Sequence, residues 1–325
     1  MSLQYWQQVG QAQRTRFIHL TGGYHGETLG ALSVCGIGLF RDKFENSLMK
    51  NLEVNGPDCY RCPYGLQPES CKAECFEPME RAIKENRETV AGVIIEPLVQ
   101  GAAGMKMYPP IYLEKLERAC SDFKTHTIYD EVAVGFGRTG ALFVCGEYGL
   151  KPTFLCLSKG ITSGYLPLAA TLTSEEIFQV FYGESSSMKL FIHSHSYTAN
   201  PLACACANET IAMLRENNFL ETLQPKIKYL GETGNRLREL EWCGEFRQTG
   251  MIAAIELVRD KKSREPFSSE LRMGYRIYLE GLKRGVFMRP LGDVIYFIPP
   301  LIIMEKEMET MVDMASESIR AVLEK

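Results

Sequence analysis

Apolar runs alternate with amphipathic segments along the first part of the chain. The run Val90–Ile95 is continuous, which is typical of a parallel strand buried on both faces of a sheet. Residues 110–123 then place apolar side chains at helical spacing, and a second apolar run ends at Asp130. This strand–helix–strand order predicts an α/β protein whose mostly parallel central sheet is flanked by helices.

The pattern changes after about residue 217. Strands and helices still alternate, but the helices are more charged. The predicted elements are a charged helix (218–241), a strand (246–258), a helix (268–284), a short strand (294–298) and a terminal helix with Met308, Ala315 and Ile319 on one face. We therefore expect two units, a large domain over 1–216 and a small C-terminal α+β domain over 217–325.

The composition is that of an ordinary soluble protein and indicates neither nucleic acid nor membrane as a partner. Of 325 residues, 45% are apolar and 23% are charged, and the net charge is −4, so no basic surface is indicated. No run reaches the roughly 18 apolar residues of a membrane span. The eleven cysteines, an odd number, fit reduced thiols better than a disulfide framework. We therefore expect a cytoplasmic protein.

Four of the cysteines lie in an irregular stretch between residues 51 and 75. Four thiolates can bind zinc tetrahedrally, and the spacing is Cys59-x2-Cys62-x8-Cys71-x3-Cys75. The second pair is spaced more widely than in a usual zinc knuckle, and no histidine lies nearby. We therefore favour a surface loop with free thiols and no metal, and a zinc-stabilised protein is the alternative.

Asp130 and Lys159 each follow an apolar run, which places both at strand ends. Neighbouring parallel strands end at one edge of a sheet, where ligands bind, so the two side chains are expected to face a single site. A partly buried lysine is a good nucleophile for a Schiff base with an aldehyde. A nearby carboxylate keeps a heteroaromatic nitrogen protonated. Pyridoxal phosphate (PLP) requires both groups, and the pair therefore predicts a PLP site.

Residues 135–140 also match G-x-G-x-x-G, the pattern of a dinucleotide-binding turn. In that motif the glycines open a helix directly after the strand, and an acid follows about 20 residues on. No acid lies around Leu155. We interpret the stretch as a glycine-rich turn around the site.

The segment from Asp130 to Gly140, with Ser158-Lys159-Gly160 downstream, resembles the signature of the class III PLP-dependent aminotransferases. The resemblance covers nearly all of the chain. It implies the type I fold of PLP-dependent transferases and a ping-pong transamination of small-molecule substrates. In this interpretation Lys159 holds the cofactor and moves the proton, while Asp130 keeps the pyridine nitrogen protonated. Within the class, the run 289–300 is most similar to members of biotin biosynthesis, and another ω-amino acid or diamine transaminase is the alternative.

Further cofactor contacts follow from the resemblance alone. It implies that Tyr24 stacks on the cofactor ring, and that His25 and Val132 also contact the cofactor. It further implies that Ser196, or less favourably Thr198, gives a hydroxyl to the cofactor phosphate of the neighbouring subunit. The expected assembly is therefore a homodimer with shared sites.

The resemblance also implies a set of substrate-binding residues. Glu96 resembles the active-site glutamate of the family. Arg289 resembles the arginine that binds a substrate carboxylate, for which its planar fork is suited, and Tyr296 would lie close to it. A further expectation comes from the flanking positions of two residues and not from the resemblance: Arg138 should form an ion pair with Glu27 near the amino donor.

Class III members carry a further portion ahead of a helix like the one on which this chain opens. That portion includes the Gly/Ser-rich turn that binds the cofactor phosphate at a helix N-terminus. We therefore expect the family fold to be incomplete at the N-terminus of this chain. A non-catalytic binding or dimerising module is the alternative of a different class.

Overall fold

The structure, a computed structural model, describes residues 1–67 and 70–324. The helices of the described residues are α1 (Ser2–Gln8), α2 (Leu29–Leu32), α3 (Gly38–Arg41), α4 (Glu77–Glu85), α5 (Ile111–Asp122), α6 (Val144–Glu147), α7 (Glu175–Phe181), α8 (Pro201–Arg215), α9 (Phe219–Asn235), α10 (Met273–Lys283) and α11 (Glu305–Leu323). The strands are β1 (Arg16–Leu20), β2 (Leu52–Val54), β3 (Val90–Ile95), β4 (Val99–Gln100), β5 (Lys106–Met107), β6 (His126–Asp130), β7 (Phe154–Leu157), β8 (Ala170–Thr173), β9 (Cys243–Thr249), β10 (Ile252–Leu257), β11 (Pro290–Leu291) and β12 (Val294–Phe297).

The central sheet has the strand order β2-β1-β3-β6-β7-β8. All neighbours pair in parallel except β8, which runs antiparallel to β7 at one edge. The helix α5 connects the parallel neighbours β3 and β6, as the sequence predicted. The α/β fold with a mostly parallel sheet is thus confirmed.

The main hydrophobic core packs around this sheet. On β3, Val93 and Ile95 are almost completely buried, and Tyr112 and Leu116 of α5 belong to the same cluster. Burying one such side chain stabilises the fold by about 1.5–3 kcal/mol. The strand therefore needs an apolar residue at nearly every position, which explains its continuous apolar sequence.

A smaller antiparallel sheet has the order β11-β12-β10-β9. Both faces of its strand β10 are buried. Ile252 and Ala254 belong to the main core, whereas Ala253 and Ile255 lie in a second core with residues of α9, α10 and α11. The small sheet is thus packed against the large sheet-containing part on one face and against its own helices on the other.

Residues 246–258 form a hairpin, so the single strand predicted there is wrong. Thr249 pairs with Ile252 across a turn at Gly250 and Met251. Gly250 has a φ of +58°, and a Cβ at this position would lie 2.4 Å from the Cα of Thr139. Glycine therefore serves both the turn and the close approach of the hairpin to residue 139.

The stretch 51–75 contains a strand that its sequence pattern does not predict, β2, which lies at an edge of the central sheet. Residues 68–69 of this stretch lie outside the described residues. The four cysteines of the stretch are free thiols. Among residues 1–67 and 70–324, no three His, Cys, Asp or Glu side chains are grouped so that they could hold a metal ion. Across the same residues, no helix combines the length and the apolar character needed to cross a bilayer.

Candidate active site

Asp130 and Lys159 lie at neighbouring strand ends. Asp130 is the last residue of β6, and Lys159 comes two residues after β7 ends at Leu157. The two strands pair in parallel, with Asp130 opposite Cys156. Both residues therefore stand at the carboxyl edge of the central sheet, where α/β proteins bind ligands.

Two donors hold the carboxylate of Asp130. Its Oδ2 lies 2.8 Å from Nδ1 of His25, and its Oδ1 accepts a hydrogen bond from the N–H of Val132 at 3.1 Å. The side chains of His25 and Asp130 are 3% and 11% exposed, so water hardly reaches the pair. Hydrogen bonds are stronger in such surroundings, and the carboxylate is fixed in one orientation.

Glu131 has different surroundings from its neighbour. It is fully buried, and its carboxylate accepts hydrogen bonds from the N–H groups of Val144 (2.7 Å) and Cys145 (2.9 Å) at the start of α6. Burial raises the pKa of this carboxyl, and the two N–H groups act in the opposite direction. Of the two adjacent acids, Glu131 therefore secures a helix N-terminus, and Asp130 binds His25.

Lys159 lines a cavity of about 590 Å³. Its φ is +46°, a conformation that is costly for a residue with a Cβ. Within residues 1–67 and 70–324, its amine forms neither a hydrogen bond nor an ion pair. The cavity walls are mainly apolar and include Val132, Phe136, Leu214, Phe219, Leu301 and Ile302.

The glycine-rich stretch 135–140 is a turn that lines this cavity, and no helix begins in it. A Cβ at Gly160, next to Lys159, would lie 2.8 Å from the Cβ of Phe136 in the turn. Glycine at 160 therefore lets the segment of Lys159 approach the turn closely. The structure agrees with the interpretation of this stretch as a turn around the site.

Arg138 places a cation in the same cavity, but the ion pair predicted with Glu27 is wrong. Its Nη1 donates to the carbonyl of Pro299 at 2.6 Å, and Glu27 instead accepts a hydrogen bond from the hydroxyl of Tyr24 at 3.0 Å. The N–H of Met251 in the β9–β10 turn donates to the Arg138 carbonyl at 2.9 Å. Burial lowers the pKa of the guanidinium to about 10. No carboxylate within the described residues forms an ion pair with it.

Glu96, just beyond the end of β3, joins two turns at the sheet edge. Its Oε2 accepts a hydrogen bond from the N–H of Tyr24, and its Oε1 accepts one from the N–H of Gly101, both at 3.0 Å. Burial raises the pKa of Glu96 to about 7, whereas His25 and the two N–H groups act to lower it. The ring of Tyr24 packs against Phe40, with 5.1 Å between the centroids.

Of the predicted site residues, Val132, Arg138 and Lys159 line the cavity. Tyr24, His25, Glu96 and Asp130 do not line it, and neither do three further predicted site residues, Ser196, Arg289 and Tyr296. Ser196 lies in an exposed segment before α8, and Arg289 is exposed just before β11. Tyr296 is half-buried on β12 and packs against the main core. Within this chain the structure therefore does not bring these three residues together with Lys159, and their roles stay predictions.

The chain matches the family model described as aminotransferase class-III over residues 1–319. A relative from Geobacter sulfurreducens, named adenosylmethionine-8-amino-7-oxononanoate aminotransferase, is 47% identical over 99% of this chain and 71% of its own length. A relative of the same name from Nitratidesulfovibrio vulgaris is 43% identical over 100% of this chain and 60% of its own length. The chain thus spans well over half of each relative.

Two solved structures have the same fold as this chain. The crystal structure of adenosylmethionine-8-amino-7-oxononanoate aminotransferase from Methanocaldococcus jannaschii has a TM-score of 0.91 and 41% identity, over 99% of this chain and 72% of its own. An amine transaminase from an uncultivated Pseudomonas species, solved in a PLP-bound form, has a TM-score of 0.91 and 32% identity, over 99% of this chain and 73% of its own.

Proposed function

The chain belongs to the class III aminotransferases, which depend on PLP, and we propose that it transfers an amino group to 8-amino-7-oxononanoate in biotin biosynthesis. The product would be 7,8-diaminononanoate, with S-adenosylmethionine or lysine as the amino donor. The names of the relatives from Geobacter sulfurreducens and Nitratidesulfovibrio vulgaris support this acceptor. The observation that carries the proposal is the amine of Lys159, which has no partner within residues 1–67 and 70–324 and lies in a cavity at the sheet edge where Asp130 binds His25.

The residues at the sheet edge fit the cofactor. Lys159 offers an amine without a partner in the described part of the chain, and Asp130 offers a carboxylate whose orientation His25 fixes at 2.8 Å. When bound, PLP supplies an electron sink for the negative charge that forms at the reacting carbon. The Asp130 carboxylate would hold a proton on the pyridine nitrogen, because a nearby anion favours the cationic form of a base. Tyr24 and Val132 are further proposed contacts of the ring.

Lys159 is the proposed group that moves the proton during transamination. Its amine would act first as a general base at the carbon that carries the donor amino group, and then as a general acid at the carbon that was the aldehyde of the cofactor. This requires an amine that is not engaged by another side chain. The apolar walls of the cavity limit the access of water to this step.

The cavity suits an acceptor with a long aliphatic chain and a distant carboxylate. We propose that Arg289 binds this carboxylate, with Tyr296 close to it and Glu96 on the substrate side of the ring. Arg138 is the second candidate, because its guanidinium already lies in the cavity without an acid among the described residues. Comparing Arg289→Gln with Arg138→Gln decides between them, since the KM for the acceptor should rise more in the variant that loses the carboxylate contact.

We also propose a cytoplasmic homodimer with shared sites, built from a large domain (1–216) and a small domain (217–325). The segment before α8 carries Ser196 and exposes Ile192 and Tyr197 by 76% and 75%. Such apolar side chains suit an interface with a second copy. Ser196 would then bind the cofactor phosphate in the partner's site.

Mixing two inactive variants tests the shared site. A Lys159→Ala subunit keeps Ser196, and a Ser196→Ala subunit keeps Lys159. A mixed dimer would contain one complete site, so activity should return on mixing. No gain over the separate variants would argue against sharing, and sedimentation of the wild type tests the dimer itself.

Borohydride reduction of the protein with PLP tests the function as a whole. The expected result is a cofactor bound covalently to Lys159, detected by mass spectrometry, and 7,8-diaminononanoate formed from the keto acceptor. Half-reactions with S-adenosylmethionine, lysine and putrescine identify the donor. Turnover of putrescine with no reaction of 8-amino-7-oxononanoate would favour a diamine transaminase. Failure to trap the cofactor would favour a non-catalytic module.

A further inference from the structure

Arg247 on β9 lies outside the cavity of Lys159, yet its side chain is only 8% exposed. Its Nε donates to the carbonyl of Met105 at 2.8 Å, and its Nη2 donates to the carbonyl of Gly104 at 2.5 Å. Its Nη1 pairs with Glu245 at 2.6 Å and with Glu256 at 2.8 Å. The guanidinium thus connects the small sheet to the turn 101–105, which joins β4 to β5.

The turn 101–105 is closed by its own backbone. The N–H groups of Gly104 and Met105 donate to the carbonyl of Gly101, at 3.2 and 3.0 Å. Both residues have positive φ values, +93° and +54°, and this conformation is unfavourable for Met105 because it has a Cβ. By binding the carbonyls of Gly104 and Met105 at one end of this closed turn, Arg247 therefore also fixes Gly101 at the other end.

The other end of the turn contacts the active site. The N–H of Gly101 donates to Glu96, whose second carboxylate oxygen accepts a hydrogen bond from the N–H of Tyr24. Ala103 packs on Gly22, where an added Cβ would lie 2.8 Å from the Cβ of Ala103. The turn therefore touches both Glu96 and the segment that carries Tyr24.

We propose that Arg247 is a positioning residue for the transamination. By binding the carbonyls of Gly104 and Met105 from the small sheet, it sets the position of the turn 101–105, and through this turn the positions of Glu96 and Tyr24. Its kinetic consequence rests on the proposed function.

The contact requires arginine specifically. Two carbonyls lie on one side of the guanidinium and two carboxylates on the other, and a planar fork with five N–H donors can bind both sets at once. The single ammonium of lysine keeps the charge beside Glu245 and Glu256, but it cannot reach both carbonyls as well.

Amide hydrogen exchange tests the structural part of the inference on the full chain. In Arg247→Gln, the amides of Gly101, Gly104 and Met105 should exchange at least about tenfold faster, whereas the amides of β3 should not change. Glu245→Gln is the matched control, because it removes an acid on the small sheet and leaves both carbonyl contacts in place. Unchanged protection of the turn in Arg247→Gln would overturn the proposal. If that variant does not fold, Arg247→Lys gives the same test without leaving the two acids unpaired.

Steady-state kinetics test the functional part. In Arg247→Lys, the KM for 8-amino-7-oxononanoate should rise about tenfold, as expected for a displaced substrate-side group, while kcat changes by less than about twofold. Glu245→Gln should keep both constants. A loss of kcat at constant KM would contradict a positioning role. If the wild type does not turn over this acceptor, the proposed function fails, and hydrogen exchange still decides whether Arg247 holds the turn.

Discussion

The carboxyl of Glu96 should make the stability of the protein depend on pH in a direction opposite to that of most acids. The residue is only 7% exposed, and burial raises its pKa from 4.5 to about 7. The nearby Asp130 also raises this pKa, whereas His25 and the N–H groups of Tyr24 and Gly101 lower it. The folded state therefore binds a proton at Glu96 more tightly than the unfolded chain does.

The size of the effect follows from this difference in pKa. Between pH 4.5 and 7 the folded state holds more protons than the unfolded state at this position, so the free energy of unfolding falls as the pH rises through this window. At about 1.4 kcal/mol per pH unit, the loss amounts to about 3 kcal/mol. It should be complete above about pH 7, where Glu96 is ionised in both states.

Urea unfolding of the wild type and of Glu96→Gln at several pH values between 4.5 and 8 measures this loss. The stability of the wild type relative to the variant should fall by about 3 kcal/mol across the series. The difference in the free energy of unfolding between wild type and Glu96→Gln is the relevant quantity. Burial lowers the pKa of His19 and His126 to about 4, so both histidines make the stability of each protein rise with pH, and this contribution cancels in the difference. The exposed Glu85→Gln serves as the control. A difference between wild type and Glu96→Gln that does not change with pH would refute the reasoning.

Three further changes test other parts of the site and the core. His25→Phe removes the contact with Asp130 Oδ2 and should weaken PLP binding about tenfold in an absorbance titration. His25→Asn retains a hydrogen-bond donor, and an equal loss of PLP affinity in this variant would count against the contact. Gly160→Ala would place a Cβ 2.8 Å from Phe136 and should cost about 1–3 kcal/mol in urea unfolding, and an unchanged midpoint would contradict this steric reason. Burial lowers the pKa of His126 to about 4, so between pH 6.5 and 4 only the unfolded state gains the proton. As the pH falls through this range, the free energy of unfolding of the wild type should therefore fall by about 3 kcal/mol relative to that of His126→Asn. A difference between the two proteins that does not change with pH would exclude this cause.

The features that the sequence predicted well are those set by one segment and by the rules of parallel sheets. The continuous apolar run Val90–Ile95 predicts a strand that is buried on both faces, and in the structure this run forms the buried strand β3. The strand ends of Asp130 and Lys159 follow from the same kind of pattern, because neighbouring parallel strands end at one edge. The sequence did not predict the hairpin within 246–258 because its turn consists of Gly250 and Met251 alone, and the apolar run of β10 already begins at Met251.

Contacts between distant segments were not accessible to the same reasoning. His25 and Asp130 are 105 positions apart, and their hydrogen bond depends on how two turns meet at the sheet edge. Their flanking positions predicted an ion pair between Arg138 and Glu27. In the structure, the N–H of Met251 binds the carbonyl of Arg138, and the guanidinium of Arg138 binds the carbonyl of Pro299. Residues of the C-terminal part, after residue 217, therefore determine the orientation of this arginine. Arg247 binds the turn 101–105 from that same part. The strand ends therefore supply the reactive groups of the site, and the C-terminal part orients the residues around them through hydrogen bonds to main-chain carbonyls. Every residue type has such a carbonyl, so these hydrogen bonds leave no pattern in the sequence.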